Sequence, residues 1–204
     1  EDVHTATASA VFEKAAAELT PMDRSKAKMI NYGIVYGLSD YGLADRLNID
    51  RAEAKAFIDA YLARFAKVAG FMATTIEQAT EQGYVTTLFG RRRQIPELRA
   101  RNFQVRSLGE RLAVNTVIQG TAADVMKLAM IGVDAALRHP HDHRGEFVTR
   151  AILSIHDELL FEGPHEEVEA VSALARAEMT APWGDRTPPL EVNIASGPTW
   201  TEAK

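Results

Sequence analysis

In the stretch RSKAKMINYGIVYG, the residues Arg24, Lys28, Tyr32 and Tyr36 recur every four positions. Four residues advance an α-helix by about 400°, so the set forms one slowly drifting stripe. Two cations come first along it, then two aromatic rings. Cations one turn apart can hold a polyphosphate, and a ring beyond them can meet a sugar or a base. A basic surface stripe with tyrosines packed at its edge is the plainer alternative. Gly33 and Gly37 weigh against it. Each costs about 1 kcal/mol relative to alanine inside a helix, so something approaches the backbone there or requires it to bend. Ala27, Ile30, Ile34 and Leu38 form an apolar stripe on the far side, suited to a core.

A second set of reactive residue types stands in AILSIHDELLFE, residues 151–162. Here His156, Asp157 and Glu158 interrupt two apolar, β-branched-rich runs that look ready to be buried, and nothing marks an ordinary solvent turn. A third lies in GRRRQIPELRARNFQVR, residues 90–106, with six arginines against one acid. Arginine runs are most often a solvated face. The interleaved Gln94, Asn102 and Gln104 suit backbone phosphates and base edges instead.

These residues need elements to position them. In LTPMD, Thr20 can cap a helix, Pro21 fits its first position and Asp23 completes a capping box. NIDRAEAKAFIDAYLARF repeats the device with Asp50 and Glu53, then places apolar residues at 54, 57, 58, 61, 62 and 65. A helix is expected over about 67–82, ending at Gly83, followed by a short hairpin turning at Phe89–Gly90. Residues 107–137 read as one long helical pattern interrupted by Gly120. HPHDHR, residues 139–144, reads as a solvated loop, too cramped and proline-bearing for a metal site. A β-hairpin over 148–162, a helix over 165–180 and a last strand in PPLEVNIASG complete the pattern. The fold class expected is α+β, a mainly helical first half followed by helices and an antiparallel sheet.

The 204 residues suffice for one large domain or two small ones. Apolar residues make up 46% and charged residues 25%, ordinary for a soluble globular protein, and no apolar run approaches a membrane span. The net charge of −5 argues weakly against a polyanionic partner, although the arginine-rich stretch reverses it locally. The absence of cysteine excludes disulfides and thiol chemistry and fits an intracellular protein. The opening EDVHTATASAVF enters helical patterning at once, without a starting methionine or the signature of a signal peptide, as expected of a chain cut from something longer.

RSKAKMINYGIVYG resembles the nucleotide-binding helix of family A DNA polymerases, the bacterial DNA polymerase I type, whose pattern is Arg-x3-Lys-x3-Phe/Tyr-Gly-x2-Tyr-Gly. SIHDELLFE is similar to that family's His-Asp-Glu hairpin, and VIQGTAADVMK to its palm helix. The three blocks stand in the family's order and spacing, and the resemblance covers essentially the whole chain.

The resemblance implies a fingers region over residues 1–100, with the nucleotide-binding helix at about 21–37, and the C-terminal part of a palm over 101–204. It implies that Arg24 and Lys28 grip the phosphates of an incoming deoxynucleoside triphosphate, that Lys28 protonates the pyrophosphate leaving group, and that His4 also reaches the phosphates. Tyr32 matches the position against the sugar, and Tyr36 the tyrosine that stacks near the template base. Arg111, Asn115 and Gln119 match residues that read the minor groove at the primer end, where acceptors common to every correct pair let donors check geometry. Arg106, last of the arginine-rich stretch, joins them as a DNA contact, and His156 matches a contact to the primer terminus. Asp157 matches a direct metal ligand, with Glu158 secondary. Two-metal phosphoryl transfer needs carboxylates to fix two cations, and Mg²⁺ suits hard oxygen ligands and phosphates.

One family feature is missing. No Asp-Tyr-Ser-Gln-Ile-Glu-like segment, which carries the family's other catalytic aspartate, occurs in the chain. The expectation is therefore a fragment of a DNA-directed DNA polymerase, inactive alone, whose parent adds deoxynucleotides to a primer 3′ end. Its partners would be primer–template DNA and deoxynucleoside triphosphates, with no membrane. It would be a monomer in the bacterial cytoplasm, associated with the nucleoid. The alternatives are a freestanding, non-catalytic nucleotide- or nucleic-acid-binding module and, more remotely, a metal-dependent phosphohydrolase.

Overall fold

Asp2 starts the first helix. Its carboxylate accepts from the main-chain amides of His4 and Thr5, capping α1 (Val3–Phe12). The computed structural model describes residues 2–139 and 146–203. α2 (Pro21–Val35) begins in the expected capping box: Thr20 Oγ1 accepts from the Asp23 amide at 3.1 Å, and Asp23 Oδ2 accepts from the Thr20 amide at 3.0 Å. It ends in a Schellman turn. Gly37 stands at φ +73°, with the Leu38 amide donating to Gly33 O and the Gly37 amide to Ile34 O. The two glycines act as their cost implied. A Cβ on Gly33 would lie 2.9 Å from Leu38 Cδ2, and one on Gly37 would lie 2.5 Å from Arg111 Cγ.

α3 (Asp40–Leu47), α4 (Arg51–Arg64) and α5 (Ala66–Gln82) follow. Asp50 takes the N-cap position of α4, but its side chain makes no capping bond, so the box expected with Glu53 does not form. Ile30, Ile34, Leu43, Leu47, Ala54 and Tyr61 make one core, with Phe57, Ile58, Leu62 and Phe65 packed against it. Each fully buried large apolar side chain contributes about 1.5–3 kcal/mol. That burial holds the apolar stripe of α2 inward and leaves Arg24, Lys28, Tyr32 and Tyr36 outward.

β1 (Tyr84–Thr86) and β2 (Arg92–Gln94) form the expected short antiparallel hairpin, with Gly90 at φ +82° in its turn. α6 (Phe103–Arg138) then runs 36 residues without a break. The interruption expected at Gly120 is absent. A Cβ there would stand 2.8 Å from Thr87 Cγ2, so the glycine admits the hairpin against the helix instead of ending it.

β3 (Arg150–Ile155) and β4 (Glu158–Glu162) pair antiparallel, and α7 (Val168–Thr180) follows. Leu159 and Phe161 pack on Val133, Leu137 and Val171. β3, by contrast, stays largely exposed, with Ile152 at 52% and Leu153 at 46%, although its sequence looked ready for burial. The strand expected in PPLEVNIASG does not form. The Pro188 carbonyl accepts from Trp183 Nε1 and the Val192 carbonyl from the Arg176 guanidinium, so side chains take the groups a ladder would need. The fold is α+β, with two two-stranded antiparallel sheets among the described residues. It divides into two compact units, Glu1–Gly120 and Thr121–Lys204. The first continues past residue 100, where the sequence placed the boundary between fingers and palm.

Candidate functional site

In the first unit, one carboxylate joins α1 to α2. Asp2 Oδ2 accepts from Arg24 Nε at 2.7 Å while also accepting from the Thr5 hydroxyl and amide. The Arg24 guanidinium, then the Thr5 hydroxyl, hold the Asp2 carboxyl well below the usual carboxylate range, and Asp2 in turn raises Arg24. Only one of the five guanidinium donors is used in this bond. Lys28 lies one turn further along, exposed. The His4 ring stands 5.7 Å from that of Tyr32 at 48°, and Tyr32 stacks parallel to Tyr36 at 6.3 Å. His4, Arg24, Lys28, Tyr32 and Tyr36 thus share one neighbourhood, with the two cations ahead of a row of rings.

Three other residues support that face. Asn31 Nδ2 lies 3.0 Å from His4 Nδ1, and Thr7 Oγ1 donates to Asn31 Oδ1 at 3.0 Å, with Thr7 and Asn31 both buried. The sequence reading passed over Asp2, Thr7 and Asn31. A signal for Asn31 existed: it falls four residues after Ala27 and three before Ile34, a polar residue on the apolar stripe.

Arg111, Asn115 and Gln119 lie at four-residue spacing on α6. Arg111 Nη1 donates to Ser107 Oγ at 3.2 Å, and its methylenes cover Gly37. Asn115 Oδ1 is buried without a hydrogen bond among the described residues, while Gln119 is exposed. The arginine-rich stretch divides its work. Arg91 donates to Gly120 O and Arg93 to Thr116 Oγ1, tying the β1–β2 hairpin to α6, while Arg92 lies over the Tyr84 ring. Arg106 is exposed, with its guanidinium over Phe103 and donating to Ala100 O.

In the second unit, His156 and Asp157 form the two-residue turn between β3 and β4, with Ile155 paired to Glu158. His156 takes φ +53°, a left-handed conformation that turns usually give to glycine or asparagine. All three residues of the tip are exposed. Mg²⁺ is commonly held by one or two carboxylates together with substrate phosphates. Asp157 and Glu158 fit such a shared site by their chemistry, not a closed protein cage. Among the described residues, no group of three or more His, Cys, Asp or Glu could enclose an ion. Of the loop at 139–144, residues 140–144 lie outside the described residues.

The model of DNA polymerase family A matches residues 1–202. The chain belongs to this family. It is 48% identical over 203 residues to DNA polymerase I of Bacillus subtilis (strain 168), covering 100% of this chain and 22% of that protein. To DNA polymerase I of Geobacillus stearothermophilus it is 45% identical over 203 residues, with the same coverage of 100% and 22%. A solved structure, the POL domain of Pol1 from M. smegmatis in complex with DNA primer-template and dNTP, superposes with a TM-score of 0.89 at 41% identity. That match covers 100% of this chain and 35% of the other. This family A chain therefore spans about a fifth of the length of its curated relatives, as the 22% coverage states.

Proposed function

We propose that the chain is the fingers region (residues 1–100) and the C-terminal part of the palm (101–204) of a bacterial DNA-directed DNA polymerase. The complete enzyme adds deoxynucleoside triphosphates to a primer 3′ end. The observation that carries the reading is the single face made by His4, Arg24, Lys28, Tyr32 and Tyr36. Arg24 and Lys28 receive the triphosphate, with His4 beside them. Tyr32 meets the sugar, and Tyr36 the templating base. Arg111, Asn115 and Gln119 contact minor-groove acceptors at the primer end, Arg106 the DNA backbone, and His156 the primer terminus. Donors aimed at positions where charge develops lower a phosphoryl-transfer barrier without reorganising. Lys28 can give the leaving pyrophosphate its proton.

Asp157, supported by Glu158, would hold Mg²⁺. Such ions would supply the charge stabilisation that phosphoryl transfer to the primer hydroxyl needs in the complete enzyme. Because the chain carries no Asp-Tyr-Ser-Gln-Ile-Glu-like segment, catalysis belongs to the complete polymerase, a monomer in the bacterial cytoplasm at the nucleoid. No described helix is long and apolar enough to cross a membrane.

The purified 204-residue chain is expected to bind primer–template and nucleotide weakly, with affinity falling steeply as salt rises, and to extend nothing. Mg²⁺- and template-dependent extension by this chain alone would overturn the division of labour. Failure of the complete polymerase to extend a primer would overturn the function.

A further inference from the structure

Thr7 and Asn31 are polar side chains inside the packing of α1 on α2, at 0% and 7% exposure. Buried amides and hydroxyls are costly unless hydrogen-bonded, so where their bonds lead is informative. Here they lead to His4. Thr7 Oγ1 stands 3.0 Å from Asn31 Oδ1, and Asn31 Nδ2 stands 3.0 Å from His4 Nδ1.

We infer that Thr7 and Asn31 are positioning residues for His4, holding its imidazole as the tautomer with the proton on Nε2, ready to donate to an anionic phosphate oxygen. The inference rests on the reading of His4 as a phosphate contact. An amide can turn over, and the flipped arrangement would have Asn31 accept from a protonated Nδ1 and leave Nε2 a bare acceptor. The Thr7 hydroxyl decides between the two. With the amide flipped, Asn31 Nδ2 would donate to Thr7 Oγ1, and the hydroxyl proton would need another acceptor. Among the described residues it has none, whereas Thr80, Thr116 and Thr180 each donate to a main-chain carbonyl of their own helix. Only the unflipped arrangement gives the Thr7 hydroxyl proton an acceptor. It commits the Asn31 amide to the lone pair of Nδ1, so the proton of neutral His4 sits on Nε2. A donor at that nitrogen suits a phosphate; a bare lone pair would repel one.

The test is long-range ¹⁵N–¹H correlation of the histidines in the 204-residue chain at a pH where His4 is neutral. Nδ1 should resonate as an unprotonated, bond-accepting nitrogen and Nε2 as a protonated one. Asn31→Asp replaces the donor with an acceptor and should move the proton to Nδ1. Thr7→Val should weaken the tautomer preference about tenfold, the effect of one net hydrogen bond, and Thr7→Ser should restore it. If Asn31→Asp does not fold, the Thr7 pair decides. A proton on Nδ1 in the unaltered chain, or one tautomer in every variant, would overturn the inference. Loss of nucleotide contact at His4 with the tautomer intact would count instead against the phosphate-binding reading and leave the positioning claim standing.

Discussion

The rings of Tyr32 and Tyr36 lie almost parallel, 7° apart in plane and 6.3 Å between centroids, one helical turn along the same face. The His4 ring lies 5.7 Å from that of Tyr32, tilted by 48°. Tyr32 thus has two ring neighbours, yet 49% of its surface is exposed.

Tyr32 stands where family A chains carry phenylalanine or tyrosine, and the hydroxyl has a consequence. On the proposed reading, a deoxynucleotide's 3′-hydroxyl would fill the space beside this ring, and a dideoxynucleotide would leave that space without a polar group. The tyrosine oxygen can supply one. A net hydrogen bond is worth about 0.5–1.5 kcal/mol, more where its loss strands a charged partner. The complete polymerase should therefore discriminate little against dideoxynucleotides, and Tyr32→Phe should raise discrimination at least about tenfold, equivalent to about 1.4 kcal/mol. Competitive incorporation of deoxy and dideoxy pairs checks this. Equal selectivity in both versions would mean that Tyr32 does not face the sugar.

His156 should carry a conformational cost for its place at the hairpin tip. The left-handed region costs a non-glycine residue about 1–2 kcal/mol, against about 0.5–1 kcal/mol for the extra freedom glycine loses on folding. His156→Gly is expected to leave chain stability in urea unchanged or raise it by up to about 1.5 kcal/mol. The same change should weaken primer-terminus binding in the complete polymerase. A marked loss of stability would show that the side chain, and not the turn, needs histidine.

The start of α2 should be acid-sensitive. The Thr20 amide, then Lys14 and the Thr20 hydroxyl, lower the Asp23 carboxyl from 3.8 to about 2. A depressed carboxyl means that the unfolded chain binds the proton more readily. The cap's contribution is therefore fully present above the ordinary aspartate value and is lost as pH falls toward about 2. Thr20→Ala should cost about 1 kcal/mol at neutral pH and shrink the acid loss. Urea titrations of both forms across that range would reveal it; an unchanged acid slope would show that the Thr20 hydroxyl does not help to lower Asp23.

Local signals were legible in the sequence; distant partners were not. Thr20, Pro21 and Asp23 announced α2, and its two stripes sorted into core and surface because their spacing matches the helical period. Gly33 and Gly37 announced close approach, but nothing local could say that Arg111, far along the chain, fills the place at Gly37. Gly120 was misread for the same reason: its partner, Thr87, stands far back in the chain. The strand expected at 188–197 had suitable residues, yet a strand exists only with a ladder partner, and Trp183 and Arg176 bind its carbonyls instead. At the candidate site, the outward-facing residues were readable as a stripe. Asp2, Thr7 and Asn31, which hold that stripe in place through α1, were hidden because their partners lie 22, 24 and 27 positions away.

The metal-dependent part of the proposed chemistry converges on Asp157. At the exposed tip of the β3–β4 hairpin, it is the residue given the metal-fixing role. Asp157→Asn keeps the shape and removes the charge, so primer–template affinity should be largely retained while metal-dependent transition-state stabilisation is lost. The decisive measurement is single-turnover primer extension in Mg²⁺ by the complete polymerase and its Asp157→Asn variant, with DNA affinity measured alongside. The expected result is a rate lower by several orders of magnitude at nearly unchanged DNA affinity. A near-parental rate in Mg²⁺ would contradict it.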